Sequence, residues 1–572
     1  MTRAALAARA AGPDAARPAR PRSLAWVPAL TLGLFLGPIA VGLVGTLLPA
    51  FGLLPALGAT VPTLQPWRDL AAAPGFATAV RLSAATGLAS TLLALAVALS
   101  VAACWHGTRW FQALRGLLAP LLAVPHAAFA VGFAFLVAPS GWIARLASPW
   151  ATGWERPPDL LLVNDPWGLA LTLALAAKEV PFLLMMVIAA LGQVRADQAL
   201  TSARCMGYGP VAAWLKTVLP LVWPQIRLPV YAVLAFSLSV VDMALVLGPG
   251  TPPTLAVLIL RWFNDPDLSL RFQAAAAASV QVALVAAAIG LFRTAEMAVG
   301  RLLRGWVVSG RRGGPATGLR VAALAGFGAV AAAAGGALAV LAVWSVAARW
   351  RFPDALPADW NLDRWTDALP GLAGPIANTV AAAALSTGIA LALVLGCLEH
   401  EQRSGRGRPT SRGLWLLYAP LLVPQIGFLF GVQVLLVLVG LDGTWPALVW
   451  SHLLFVLPYV FLALADPYRA LDERYARSAR CMGASPGRVF RTITLPLLAR
   501  PIAVAAAVGM SVSVAQYLPT VFAGAGRLPT VTTEAVALAG GGDRRALAVV
   551  AFVQMLLPLL GFAAALAAGR RR

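Results

Sequence analysis

Apolar runs of roughly twenty residues recur along the whole chain, divided by short polar stretches. A helix needs about that length to cross the hydrocarbon layer of a bilayer. The pattern predicts about twelve spans. In the first half they fall near 25–48, 76–104, 113–138, 167–193, 225–249 and 272–292, and in the second near 319–346, 375–398, 413–439, 444–465, 501–525 and 546–568. Stretches such as 82–103 and 380–397 show no alternation of apolar and polar positions, whereas the strands of a membrane barrel alternate over runs of about ten residues. The sequence therefore predicts an all-α polytopic membrane protein.

Composition agrees. The 572 residues are 60% hydrophobic and 12% charged, against about a quarter charged in soluble proteins. A net charge of +21 raises nucleic acid as a partner, but the basic residues neither form a long tail nor alternate with aromatics. They gather in every second gap between apolar runs: Arg109 and Arg115; Arg195, Arg204 and Lys216; Arg293, Arg301, Arg304, Arg311 and Arg312; Arg403, Arg406, Arg408 and Arg412; Arg469 to Arg500; and Arg570 to Arg572. Retention of positive charge on the cytoplasmic side makes these the inside loops and excludes a nucleic-acid role. The other gaps balance their bases with acids, as Asp354, Asp359, Asp363 and Asp367 do against Arg349, Arg351 and Arg364. The first apolar run, to about Leu54, is longer than the 7–15 or so residues of a signal-peptide core. It reads as an uncleaved first helix, with the N- and C-termini both cytoplasmic. Cys104, Cys205, Cys397 and Cys481 form no CxxC pair and read as small packing residues rather than a disulfide or zinc framework.

The chain repeats itself. The segment SARCMG stands at 202–207 and again at 478–483, and Leu219-Pro220 and Leu495-Pro496 keep the same separation of 276 positions. Val124-Pro125 pairs with Val423-Pro424 in the third span of each half, Val180-Pro181 with Leu457-Pro458 in the fourth, Pro253-Thr254 with Pro529-Thr530 after the fifth, and Val280-Gln281 with Val553-Gln554 in the sixth. Six spans per half leave both halves facing the same way, so the duplication is parallel, about an axis along the membrane normal. The organisation predicted is a first half over 1–300, a basic cytoplasmic linker over 301–320 and a second half over 321–572.

Each repeated segment joins a fourth to a fifth span on the inside. Ala, Arg and Met before the glycine favour helix, Gly207 and Gly483 permit a sharp turn at positive φ, and a second short helix with one apolar face is expected to end at Leu-Pro. Such a helix–turn–helix can simply dock on its own protein. Two copies at equivalent places point instead to a two-fold symmetric partner.

The spacing resembles the EAA loop of ATP-binding-cassette importer permeases, E-A-A-x-x-x-G followed after about nine residues by x-x-L-P. Ser202, Ala203, Gly207, Leu219 and Pro220 occupy that pattern in the first half, and Ser478, Ala479, Gly483, Leu495 and Pro496 in the second; Thr201 and Arg477 replace its leading Glu. The resemblance covers nearly the whole chain and is to the fused permeases of ferric-iron and thiamine importers. It implies a permease subunit in the bacterial cytoplasmic membrane, in contact with membrane lipid, coupled through the two loops to two ATP-binding-cassette ATPase subunits and served by an extracytoplasmic substrate-binding protein. Thiamine or ferric iron is the substrate it suggests. The chain has no G-x-x-x-x-G-K-[ST] phosphate loop: its two lysines, Lys178 and Lys216, stand in other contexts. ATP is then bound by the partner subunits, with no cofactor, metal or catalytic residue in this chain.

Polar residues inside apolar spans mark candidate function, because charge there is costly. Lys178 and Glu179 stand in the fourth span, where the second half has Phe455 and Val456; they read either as a pathway feature or as ion pairs with other spans. Asp242 in the fifth span, with Gln516 as its slipped counterpart, suggests a pathway lined from both sides, and Asp242 resembles an acidic position common in related permeases; caps or helix contacts account for the pair equally well. His126 and His452 read as satisfied packing positions. An ion-coupled secondary transporter is the alternative function, but the gap between the second and third spans carries no acid. A membrane enzyme would need clustered ligands or catalytic groups, and the four histidines are scattered.

Overall fold

The computed structural model describes residues 24–404 and 411–570. Residues 1–23 and the basic positions Arg406, Arg408, Arg571 and Arg572 lie outside them. The described chain is mainly helical, with one two-stranded hairpin, Ala347–Arg349 against Asp359–Trp360. Ten of its helices are long and apolar enough to cross a membrane, or eleven if one bent pair counts as a single span. The expectation of twelve is met only by counting interrupted helices as spans.

The interruptions fall at the same places in both halves. The third span is two helices, Arg109–Ala123 and His126–Val137, parted at Val124-Pro125, and its counterpart is Ser411–Leu422 and Gln425–Leu438, parted at Val423-Pro424. Proline lacks the amide that would continue the ladder. The fifth span breaks after Ser239 and resumes as Asp242–Leu247; in the second half Ala499–Val514 gives way to Leu518–Gly524. A short helix follows in each half, Leu255–Phe263 and Val531–Ala539. Its first amide is satisfied by a hydroxyl from the second span, Ser83 at 2.8 Å for Leu255 and Thr379 at 3.0 Å for Val531. The buried glutamines of the sixth spans, Gln281 and Gln554, donate to Leu238 and Thr532. Inside a bilayer, freed backbone groups must find such internal partners.

The two halves are interlocked. The first span, Trp26–Ala50, packs on Leu270–Leu302 of its own half and on Gln425–Leu438 of the other. Thr317–Val346 likewise packs on Arg544–Arg570 and on His126–Val137. The crossings are close because the residues are small. A Cβ on Gly431 would overlap the Gly42 carbonyl oxygen, and one on Gly132 would stand 2.6 Å from the Ala337 carbonyl oxygen. The amide of Gly431 also donates to Thr46 Oγ1 at 3.2 Å.

Candidate functional site

The repeated loops form as their composition requires. The first runs Ala196–Cys205, turns at Gly207 and continues through Pro210–Ala213; the second runs Glu473–Cys481, turns at Gly483 and continues through Pro486–Val489. The glycines hold φ of +82° and +83°, where any side chain is strained. Ala203 and Ala479 are buried beneath the turns, while Ser202 and Ser478 are exposed. Leu-Pro does not end either second helix, contrary to expectation. Each helix passes through one π-helical turn, Trp214–Val218 or Phe490–Thr494, and Leu219-Pro220 or Leu495-Pro496 follows it directly. The helix is thus continuous from Pro210 to Ser239 in the first half and from Pro486 to Leu497 in the second, with the proline inside it just after the π-helical turn. In the second half the path then bends by 73° before Ala499–Val514.

The two loops lie on one side of the molecule. Gln193, at the end of the first half's fourth span, reaches Asp466 at the same place in the second half, 3.5 Å from Nε2 to Oδ2. Cys205 and Cys481 are both exposed. Behind the first loop, His106 Nε2 lies 3.8 Å from Asp197 Oδ1. Burial holds that imidazole below the ordinary histidine range, outweighing the opposing pull of Asp197, so the approach is not an ion pair at neutral pH.

The intramembrane residues converge on the break in the third span. Lys178 Nζ donates to the carbonyls of Leu121 at 3.1 Å and Val124 at 2.6 Å, in the last turn before Pro125. Glu179 Oε1 lies 3.7 Å from His126 Nε2, on the far side of the same break. Lys178 therefore holds one helix end, while Glu179 faces the start of the next across an approach of ion-pair length between the fourth and third spans. Asp242 opens its short helix and has His126 and, from the second half, Tyr517 as electrostatic neighbours. Tyr459 of the second half stands in the same relation to Glu179. Gln516 donates to Val512 within its own helix at 3.2 Å. By helix start the counterpart of Asp242 is Leu518 (518 − 242 = 276), two residues past Gln516. His452 is satisfied by Ser513 at 2.7 Å and Thr520 at 2.9 Å, as expected; His126 packs on the Phe236 ring, 4.9 Å between centroids, as well as approaching Glu179.

Sequence reasoning passed over Lys216, which is buried and donates to the carbonyls of Ser309 at 2.7 Å and Arg311 at 2.9 Å. A signal was present: Lys178 and Lys216 are the only lysines among 44 basic residues, and both bind converging carbonyls. A compact ammonium with three donors suits that geometry better than a planar guanidinium.

Along 506 residues, 88% of this chain and 90% of the relative, the sequence is 34% identical to the inner membrane ABC transporter permease protein YnjC of Escherichia coli (strain K12). The chain belongs to the ABC transporter permeases. The family profile described as binding-protein-dependent transport system inner membrane component matches residues 388–571 of this permease. Shorter likenesses link the permease to the putrescine transport system permease protein PotI of Escherichia coli (strain K12), 33% identical over 22% of this chain and 46% of the relative. The trehalose transport system permease protein SugB of Mycobacterium tuberculosis (strain CDC 1551 / Oshkosh) is 34% identical over 12% of this chain and 25% of the relative. None of these names carries thiamine or ferric iron. The permease is thus a multi-pass transport subunit of an inner membrane, not an enzyme, and its family implies ATPase and substrate-binding partners.

Proposed function

We propose that this permease forms the solute pathway of an ATP-driven importer and that its two exposed loops dock one ATPase subunit each. The observation that carries the reading is the pair of glycine-turned loops on one side of a duplicated membrane body, their spans bridged by Gln193 and Asp466. That arrangement fits two copies of a partner related by a two-fold axis. ATP would bind to those partners. Their approach would draw the loops together and tilt the fourth and fifth spans, opening the interior to the outside, where a solute-loaded binding protein would dock. The choice of solute would rest largely with that protein. The basic loops and linker, and with them both termini, face the cytoplasm in this reading. Ser202, Ala203, Gly207, Leu219, Pro220 and their counterparts Ser478, Ala479, Gly483, Leu495, Pro496 are the coupling residues; Asp242, Gln516, Lys178 and Glu179 border the pathway, with Lys178 in a positioning role.

Vesicles reconstituted with the permease, the ATPase subunit encoded with it and the binding protein test the proposal. Uptake of the binding protein's copurifying solute should require ATP and all three components. Uptake driven by an ion gradient with the permease alone would overturn it and favour the secondary transporter.

A further inference from the structure

The two coupling loops are repeat copies, yet the structure treats them differently. Val211, Ala212, Ala213, Trp214, Lys216 and Val218 are buried in the first. At the corresponding positions of the second, 276 residues on, only Val489 and Thr494 are buried, while Gly487, Arg488 and Thr492 are exposed and Phe490 is half-buried. Val211, Ala213, Trp214 and Val218 pack on neighbouring helices, but Tyr208, Gly209, Ala212 and Lys216 are met by the linker between the halves.

The linker is bound there by several independent contacts. Lys216 reaches the Ser309 and Arg311 carbonyls, and its ammonium lies 4.8 Å from the Trp306 ring centre and 5.1 Å from that of Tyr208. The amide of Gly209 donates to the Arg312 carbonyl at 2.8 Å. Two glycines make room: a Cβ on Gly209 would stand 2.6 Å from the Gly314 carbonyl oxygen, and one on Gly313, at φ +68°, 2.8 Å from the Ala212 Cβ. Finally, the exposed Arg312 side chain lies over the turn itself, 3.3–3.5 Å from where a Gly207 Cβ would be. A Cβ on Gly483 would meet nothing within 4 Å among the described residues, and position 492 is a threonine where the first loop has Lys216.

We propose that linker residues 309–314 are a built-in part of the first docking surface. They strap that loop into place through Lys216 and set the Arg312 guanidinium at its tip, so the permease offers its ATPase subunits one fixed, composite surface and one open loop. The chemistry fitting the tip of the first is a carboxylate on the ATPase subunit, because the exposed Arg312 guanidinium stands over the turn and, among the described residues, no acid pairs with it. A guanidinium is also suited to a planar carboxylate, because it can donate two parallel N–H bonds to both oxygens. The docking part of this inference rests on the proposed function; the strap does not.

Hydrogen exchange on the full-length permease in lipid nanodiscs, without any ATPase subunit, tests the strap. Amides of 209–218 should exchange at least tenfold more slowly than those of 485–494 after correction for sequence. Lys216→Met should raise exchange in 209–218 and 309–314 to the level of the second loop and leave 485–494 unchanged. Equal exchange in the two wild-type loops, or no response to Lys216→Met, would overturn it. Titration with the ATPase subunit encoded beside the permease tests the tip. Arg312→Glu should weaken binding at least tenfold and Arg312→Lys much less, with the spans of both variants protected as in wild type. Tight binding by Arg312→Glu would reject the composite surface. If the wild type binds no ATPase subunit at all, the proposed function fails, while the exchange result still judges the strap.

Discussion

Lys178 Nζ stands 2.6 Å from the carbonyl oxygen of Val124 and 54 positions from it in sequence, closing the helix end that Pro125 leaves open. The charge is tolerated within the membrane because it meets fixed carbonyl dipoles there rather than hydrocarbon. The ammonium is thereby a structural element of the third-span break, and the neighbouring Glu179 is left to face His126.

Replacing Lys178 removes the donor from two carbonyls at once. Lys178→Met is expected to destabilise the permease by roughly 1–3 kcal/mol, the usual cost of unsatisfied buried groups. Lys178→Arg should fare little better, since a planar fork does not converge on both oxygens. Melting temperatures of the three purified proteins provide the measurement, and a Met variant as stable as wild type would remove the capping role.

The interlock between halves predicts a paired packing defect. Gly132→Val and Gly431→Val drive side chains into Ala337 and Gly42 of the opposite half, and overpacking of this kind costs about 1–3 kcal/mol or more. Gly335→Val adds a side chain where nothing lies within 4 Å and should leave stability near wild type. Loss of monodisperse protein in the first two but not the third is the expected result in size-exclusion profiles. Equal behaviour of all three would mean that the crossings are not close.

Both coupling turns use a backbone conformation that costs a β-branched residue of order 1–3 kcal/mol. The double variant Gly207→Val/Gly483→Val should still insert in the membrane but lose ATP-coupled uptake, with ATP hydrolysis no longer responding to solute. Singly, Gly207→Val should do more harm than Gly483→Val, because it also displaces Arg312. Uptake and hydrolysis assayed in the same vesicles decide the matter, and full coupling in the double variant would show that the turns do not transmit closure.

Asp242 separates a pathway role from a structural one. If it lines the route between His126 and Tyr517, Asp242→Asn should cut uptake several-fold and leave the melting temperature within about one degree, since an amide retains most of the local hydrogen bonding. Unchanged uptake with a lower melting temperature would assign it to the framework instead.

Much of the fold was legible because lipid imposes a local rule. Each span must satisfy its own backbone and present apolar side chains, so length and composition reveal helices, and Val-Pro at 124–125 and 423–424 marks where two of them break. The coupling turns were legible for a similar reason: a glycine at fixed distance after SAR and before Leu-Pro specifies a positive φ wherever the segment lies. The path after the turn was not, since the helix runs on through Pro220 by way of the π-helical turn ahead of it.

What the sequence by itself determined, then, is the helical kind of its segments and the repeat of their motifs, properties carried by residues close together in the chain. Tertiary structure alone decided the partners. Gly42 and Gly431 are two glycines among 52, and only the crossing of a first span with the opposite third span makes them contacts. Lys178 and Lys216 are recognisable as unusual, but their carbonyl acceptors lie 54 or 57 and 93 or 95 positions away. Between helices already solvated by lipid there is no hydrophobic force to write such pairings into the composition. They arise from close packing of small residues and from the need to satisfy each broken helix end, which depend on where distant segments meet.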